Sequence, residues 1–441
     1  MIARLMWESQ TMVTSDDLLR GIDDIDWGRL RHLEGHADDV PRLLQDLADA
    51  GQREREWAFT LLWDRYLRWP GGDDNAGPHT VPFLARIAIA AAAPESRLCA
   101  LQILQQLAVG HDGRHEDLRV GTDTTTARAE AAADATRSSW PRSYEAVRAE
   151  LPGLTALLGD PDAAVRARAA RLLKWFPGQA ATSGPALVAA LEAEPDPTVC
   201  AAILLTLALI GDRSCAAAVH WQLDAPSQIV RWTAAIASAR IITTHTTRHP
   251  ETGPAGSAVG PGDDEARRVV AVLAQFAADD NYPLHHRVGG PLEWYTAQML
   301  LALAGREELD DLTDDIVTAL GDCLRKVDVS LVADLAAEAV ILAFGSTPQV
   351  APRAFADLSP VQQHLIVCLG DNAGEGSSSN RHPSHPPYVY EHPEHRPALT
   401  RLAAVLADAG LPGLGDPRPR YEPLRLYAGL PLTFWTSRQT G

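Results

Sequence analysis

Apolar residues in the middle of the chain recur at helical spacing and stop at regular turns. In residues 151–176, LPGLTALLGDPDAAVRARAARLLKWF, Leu154, Leu157 and Leu158 share one face before Gly159 breaks the pattern. Val165, Ala169, Leu172 and Leu173 then mark one face of a second helix, so the stretch is predicted to be a helical hairpin. Asp162, after Pro161, can accept hydrogen bonds from the N–H groups that open the second helix and have no partner within it. The arrangement recurs: Pro161-Asp162 stands four residues before Val165, Pro195-Asp196 four before Val199, Pro226-Ser227 four before Val230 and Pro94-Glu95 four before Leu98. The three consecutive copies are 34 and then 31 residues apart, the length of two short helices and two turns. Ala169-Ala170 and Ala234-Ala235 sit where neighbouring helices must approach closely. One such unit cannot bury its apolar face alone, whereas units stacked side by side share one core. The expected fold is therefore all-α, a curved α-solenoid of stacked helical hairpins with loop insertions.

The run LPGLTALLGDPDAAVRARAARLL, with its Pro, leucines, Asp, Val-Arg and paired Ala, resembles a HEAT-type repeat, and the likeness extends over residues 151–242. Residues 22–50, followed by HTVPFLARI at 79–87, also resemble the opening of a group of bacterial HEAT-repeat proteins. The matching positions are Trp27, Leu30, His32, Gly35, Asp39, Val40, Pro41, Val81, Pro82 and Phe83. Where that group carries a Gly-Thr-rich connector, this chain has RWPGGDDNAGPHT. The resemblance implies the fold and no particular activity.

Outside these copies, leucine and alanine periodicity predicts helical pairs at about 38–69, 80–109, 265–304 and 309–344. The chain is accordingly divided into N-terminal repeats with an aromatic capping helix (1–109), a polar insertion with an amphipathic helix near 125–137 (110–150), and the best-matched repeats (151–243). There follow a Gly/Pro/Thr-rich loop (244–264), further repeats (265–370), a Gly/Ser and Pro/His-rich loop (371–397), and a C-terminal helix and cap (398–441). Insertions in solenoids emerge at turns, where they can reach partners without disturbing the stack.

Composition narrows the function. With 46% hydrophobic and 22% charged residues over 441 positions, the chain is a folded protein, and its net charge of -18 disfavours wrapping on nucleic acid. The longest apolar run, Cys200 to Ile210, falls short of the roughly 18 residues that span a bilayer. The five cysteines are scattered with no CxxC pair, reading as small core residues of a reducing compartment, and the N-terminus has no continuous apolar segment. The expectation is a cytoplasmic protein without a membrane segment.

Candidate chemistry is sparse. His382, His385, His392 and His395, in two His-Pro-x-His motifs, offer four imidazoles to Zn²⁺, Ni²⁺ or Cu²⁺, with Glu391 and Glu394 as possible anchors, although a metal-free, solvated loop is the preferred reading. Three further pairs, His32/His36, His111/His115 and His245/His249, have the i, i+4 spacing that places two rings on one face of a helix. Trp57, Trp63 and Trp69, with Tyr66, fall on one predicted N-terminal helix. These rings either cover the core of a terminal repeat, the preferred reading, or form a partner-binding patch carried by Trp63, Tyr66 and Trp69. Arg166 and Arg231 follow the repeat Val, with Cys200 in the equivalent place between them; the HEAT resemblance implies pairing to an Asp of the adjacent turn, such as Asp162 or Asp196. No nucleophile elbow, phosphate loop, Rossmann fingerprint or zinc-protease helix is found. No cofactor is expected, and no catalytic residue is assigned. The leading functional reading is a scaffold that binds a protein partner through its concave face, as a cytosolic inhibitor or regulator. The alternative is an enzyme on the same solenoid, glycosylase-like toward DNA bases or bilin-lyase-like, and the acidic charge weighs against the first of these.

Overall fold

The computed structural model describes residues 14–49, 51–67, 75–109, 140–210, 213–246, 261–279, 292–326, 329–349, 351–372, 396–412 and 422–430. The chain divides into two compact units, Met1–Trp221 and Gln222–Gly441.

The first unit opens with α1 (Ser15–Leu18) and a minimal hairpin of β1 (Arg31–His32) and β2 (Gly35–His36), paired Arg31 with His36 and His32 with Gly35. Helices α2 (Val40–Asp49), α3 (Gln52–Leu67), α4 (Gly77–Ala90), α5 (Pro94–Val109), α6 (Trp140–Thr155), α7 (Ala163–Leu173), α8 (Ala180–Ala193), α9 (Pro197–Ile210) and α10 (Ala216–Trp221) follow. They alternate between two layers. Helices α3, α5, α7 and α9 touch in succession in one layer and α2, α4 and α6 in the other, while α2–α3, α4–α5 and α8–α9 close hairpins. The turn chemistry read from the sequence is present: the Asp162 carboxylate accepts from the N–H of Ala164 at 2.9 Å and of Val165 at 3.1 Å. Helix α7 then buries Val165, Ala169, Leu172 and Leu173. Thr206 of α9 donates its hydroxyl to the carbonyl of Ala170 on α7 at 2.9 Å, which is reachable because Ala170 leaves the α7 backbone uncovered. Tyr144 of α6 stacks on Phe176 at 4.8 Å and donates to the carbonyl of Trp175, tying the hairpin to the turn beyond it.

The second unit begins with a 3₁₀ turn, Gln222–Asp224, followed by α11 (Gln228–Thr246), α12 (Pro261–Ala278), α13 (Leu292–Ala304), α14 (Thr313–Lys326), α15 (Val329–Phe344), α16 (Pro360–Asn372), α17 (Arg396–Asp408) and α18 (Glu422–Tyr427). Again there are two layers: α11, α13, α15 and α17 in one, α12, α14, α16 and α18 in the other, each helix touching the next of its layer. Trp232 is fully buried where three helices meet; it stacks on Phe276 of α12 at 4.7 Å and donates its indole N–H to Thr296 of α13 at 2.8 Å. An aromatic ring supplies the apolar area and the indole donor finds its partner.

The fold is all-α and built of stacked helical hairpins, as expected; among the described residues the only sheet is the β1–β2 pair. Segment edges differ from the sequence reading. Helix α6 starts at Trp140, inside the stretch expected to be an insertion to residue 150, and α11 and α12 take in Thr244 to Thr246 and Pro261 to Asp264 from the expected loop 244–264. Asp371 and Asn372 complete α16, and Arg396 opens α17. The expected helix at 125–137 lies outside the described residues. No helix among the described residues is long and apolar enough to cross a membrane.

Candidate functional site

The repeat turns carry the most regular polar construction. Arg166 of α7 reaches forward to the next turn and donates Nε to Glu194 Oε2 at 2.7 Å and Nη2 to Glu194 Oε1 at 2.8 Å, while Nη1 donates back to the carbonyls of Asp160 and Pro161. The expectation that Arg166 pairs with Asp162 or Asp196 is therefore corrected. Those two aspartates are occupied as helix caps, and the acid that pairs sits two residues before the second cap. Glu194 also accepts from the N–H of Asp196 at 2.9 Å, which orients its carboxylate. Asp160 does the same one turn earlier: it accepts from the N–H of Asp162 at 2.8 Å and pairs with Arg97 of α5. Burial pushes the Asp160 carboxyl above its ordinary range, against the pull of the Asp162 N–H and Arg97. The Glu194 hydrogen bonds hold the Arg166 guanidinium above its usual value. Arg231 donates to the carbonyls of Ala225 and Pro226, repeating the backward half of the Arg166 contacts. Cys200 stands in the arginine place of the copy between, its thiol pushed up to about 11 by burial, consistent with a packing residue. These contacts join repeats; they present nothing to a substrate.

The aromatic helix is α3. Trp63 is half-buried, with its ring 5.6 Å from Phe59, whereas Trp57 is 63% exposed. Tyr66 lies in the helix but its side chain is outside the described residues, as is all of Trp69. The Trp57 and Trp63 indoles thus lie at different depths, six positions apart on one helix.

The histidines of the Pro/His loop, His382, His385, His392 and His395, lie outside the described residues, as do His111, His115 and His249. His32 and His36 do not share a helix face; they occupy the two arms of the β hairpin. His32 is buried, its Nε2 lies 3.2 Å from Asp39, and burial pushes its ring below the ordinary value of 6.5 while Asp39 pulls the other way. His36 meets the carbonyl of Gly28 at 2.9 Å. Both rings are structural.

A cluster that the sequence reading passed over lies between α14 and α16. His364 Nε2 is 3.0 Å from Asp322 Oδ1 and 3.4 Å from Cys368 Sγ, and the three donor atoms all lie within 4.8 Å of one another. His364 and Cys368 are one turn apart on α16, and Asp322 faces them from α14 because Gly321 lets the helices close. A Cβ at residue 321 would stand 3.1 Å from the His364 ring and 3.3 Å from Cys368 Sγ. Arg325 Nη2 approaches Sγ at 3.2 Å, and its Nε lies 3.7 Å from Asp371. Burial pushes the Cys368 thiol up to about 11, with Arg325 pulling it down. Both contacts of the imidazole use the same nitrogen. A nucleophilic relay needs one ring nitrogen for the thiol and the other for the carboxylate, so this constellation is not built as one. The signal in the sequence was the His364-x-x-x-Cys368 spacing, which a search for His–His pairs alone does not see.

Between α11 and α12 a cleft of about 200 Å³ is lined by residues that include Gln228, Arg231, Trp232 and Asp279. It falls below the roughly 300 Å³ at which ligand sites commonly begin.

Compared with known proteins, residues 151–237 match the sequence profile of HEAT repeats. The match covers the Pro-Asp turns, helices α7 and α9 and the first part of α11. No curated protein matches the chain.

Proposed function

We propose that this chain is a scaffold that binds a protein partner, acting in the cytosol as an inhibitor or regulator of that partner. The HEAT-repeat match at 151–237 carries the reading, because repeats of this kind commonly serve as protein-interaction scaffolds. Helix α3 supplies the contact: Trp57 is exposed, Trp63 is half-buried six positions further on, and Arg53, Glu54, Arg55 and Glu56 immediately precede Trp57 in the sequence. An exposed indole next to a run of charged residues has the composition of a binding hot spot, in which one or two aromatic anchors carry most of the affinity. The net charge of -18 favours a partner with a basic surface, through faster encounter at low salt.

The test is capture of partners on the full chain from the native host, followed by titration calorimetry with the purified partner and an assay of the partner's own activity. Trp57→Ala is expected to weaken binding at least about tenfold, the lower range for an aromatic hot spot, with an unchanged helical circular-dichroism spectrum. Equal affinity of the wild-type chain and a Trp57→Ala/Trp63→Ala double variant would remove α3 from the interface. Failure of the purified partner to bind at all would remove the scaffold reading.

A further inference from the structure

We propose that Asp322, His364 and Cys368 form a binding site for a divalent transition metal of zinc type, with solvent in the fourth position. The ligand set is one imidazole, one thiolate and one carboxylate, a combination suited to Zn²⁺ and its spectroscopic substitute Co²⁺ and poorly suited to Mg²⁺ or Ca²⁺, which take oxygen. The atoms already stand near the separations that a shared ion imposes. With metal–ligand bonds of roughly 2.0–2.3 Å in a tetrahedron, neighbouring ligand atoms lie about 3.3–3.7 Å apart, against 3.0 Å for Asp322 Oδ1 to His364 Nε2, 3.4 Å for His364 Nε2 to Cys368 Sγ and no more than 4.8 Å for the third pair. Both contacts fall on one imidazole nitrogen, which defeats a catalytic relay but suits a metal, whose ligands need only bring one donor atom each to within a shared radius: the three donor atoms lie within 4.8 Å of one another.

The site is also supported from behind and open in front. Two ligands one helical turn apart on α16 share a face, α14 brings the third, and the missing side chain at Gly321 keeps the two helices close. Cys368 is buried at the floor, while Asp322 and His364 retain 20% and 32% side-chain exposure, leaving a way in from solvent. Binding converts the Cys368 thiol to a thiolate and releases its proton to water. Arg325 competes for the same sulfur at 3.2 Å and has Asp371 as its other acidic neighbour, 3.7 Å away, to which it turns when the metal enters.

The experiment is a Co²⁺ titration of the full chain after chelator treatment, read by absorption. The wild type is expected to show a thiolate-to-cobalt charge-transfer band and visible d–d bands of a tetrahedral ion, saturating at one equivalent for the thiolate band and bleached by Zn²⁺. Cys368→Ser should abolish the charge-transfer band. Asp322→Asn and His364→Gln should each weaken Co²⁺ binding at least about tenfold, and Arg325→Gln, which keeps every ligand, should tighten it. A combined alanine variant of His382, His385, His392 and His395 should keep the band, since a site without sulfur cannot produce it. Absence of the band in the wild type, its survival in Cys368→Ser, or its loss in the four-histidine variant would overturn the proposal. Should Cys368→Ser not fold, unchanged affinity in Asp322→Asn decides against the site by itself.

Discussion

Glu194 and Asp160 each hold two groups at once: the guanidinium of an arginine from the preceding repeat and the backbone N–H two residues on, which fixes the following turn. Nearly all of the Glu194 side chain is out of water, so removing it leaves Arg166 with carbonyl partners only. Glu194→Ala is expected to cost about 2 kcal/mol, the range of a hydrogen bond to a charged group. In a double-mutant cycle with Arg166→Met, urea unfolding should show coupling of about 1–3 kcal/mol; additive effects would mean that the clasp contributes nothing. His32 makes a different prediction. Its folded-state value is depressed by burial, so the unfolded chain takes up a proton first as pH falls through about 6.5. The contribution of His32 is therefore complete above that pH and is lost on acidification. Melting temperature should drop between pH 7 and pH 5, and His32→Gln should flatten the drop in this window; an identical pH profile in the variant would show that Asp39 fully offsets burial.

At the scale of elements, the parts legible in the sequence were those made by neighbouring residues. Asp162 caps the helix that begins one residue later, and the apolar stripe of α7 runs over three turns, so both could be read from a short window. The Asp322, His364 and Cys368 cluster depends on α14 lying against α16, with Asp322 and His364 42 positions apart in the chain, and no local pattern encodes that meeting. The Arg166 clasp was half legible: the arginine was identified, but its acid was misassigned because cap and clasp are two carboxylates only two residues apart, and only geometry tells which one turns outward. Two helical glycines show how neighbours decide the sign of one substitution. Gly184 of α8 has open space where a Cβ would go apart from its neighbour Pro185, whose ring disfavours helical backbone at a preceding residue with a Cβ, so Gly184→Ala should stabilise by less than the full propensity gain of about 1 kcal/mol. Gly321→Ala has the same propensity gain but presses on the His364 ring and Cys368, and it should show less gain or a loss. Thermal melts of both variants check the pair; an equal rise would mean that α14 and α16 are less closely packed than the structure has them.

For the whole molecule, stacking confines damage. Leu173 is 1% exposed at the end of α7, and Leu173→Asp places a carboxylate where no partner exists, costing several kcal/mol of the roughly 5–15 that hold a domain. Hydrogen exchange should then show lost protection across residues 151–210 while α14 and α16, in the other compact unit, keep theirs; uniform loss over the chain would show that the units unfold as one. The turns that limit such damage also have the same grammar on either side. Asp160-Pro161-Asp162 and Glu194-Pro195-Asp196 offer an acid, a proline and a cap in the same order, so a gene that skipped from residue 160 to residue 195 would still encode Asp-Pro-Asp at the junction. An unequal crossover at these codons removes or adds 34 residues without inventing a new joint, and it changes how far the array reaches while leaving its ends intact.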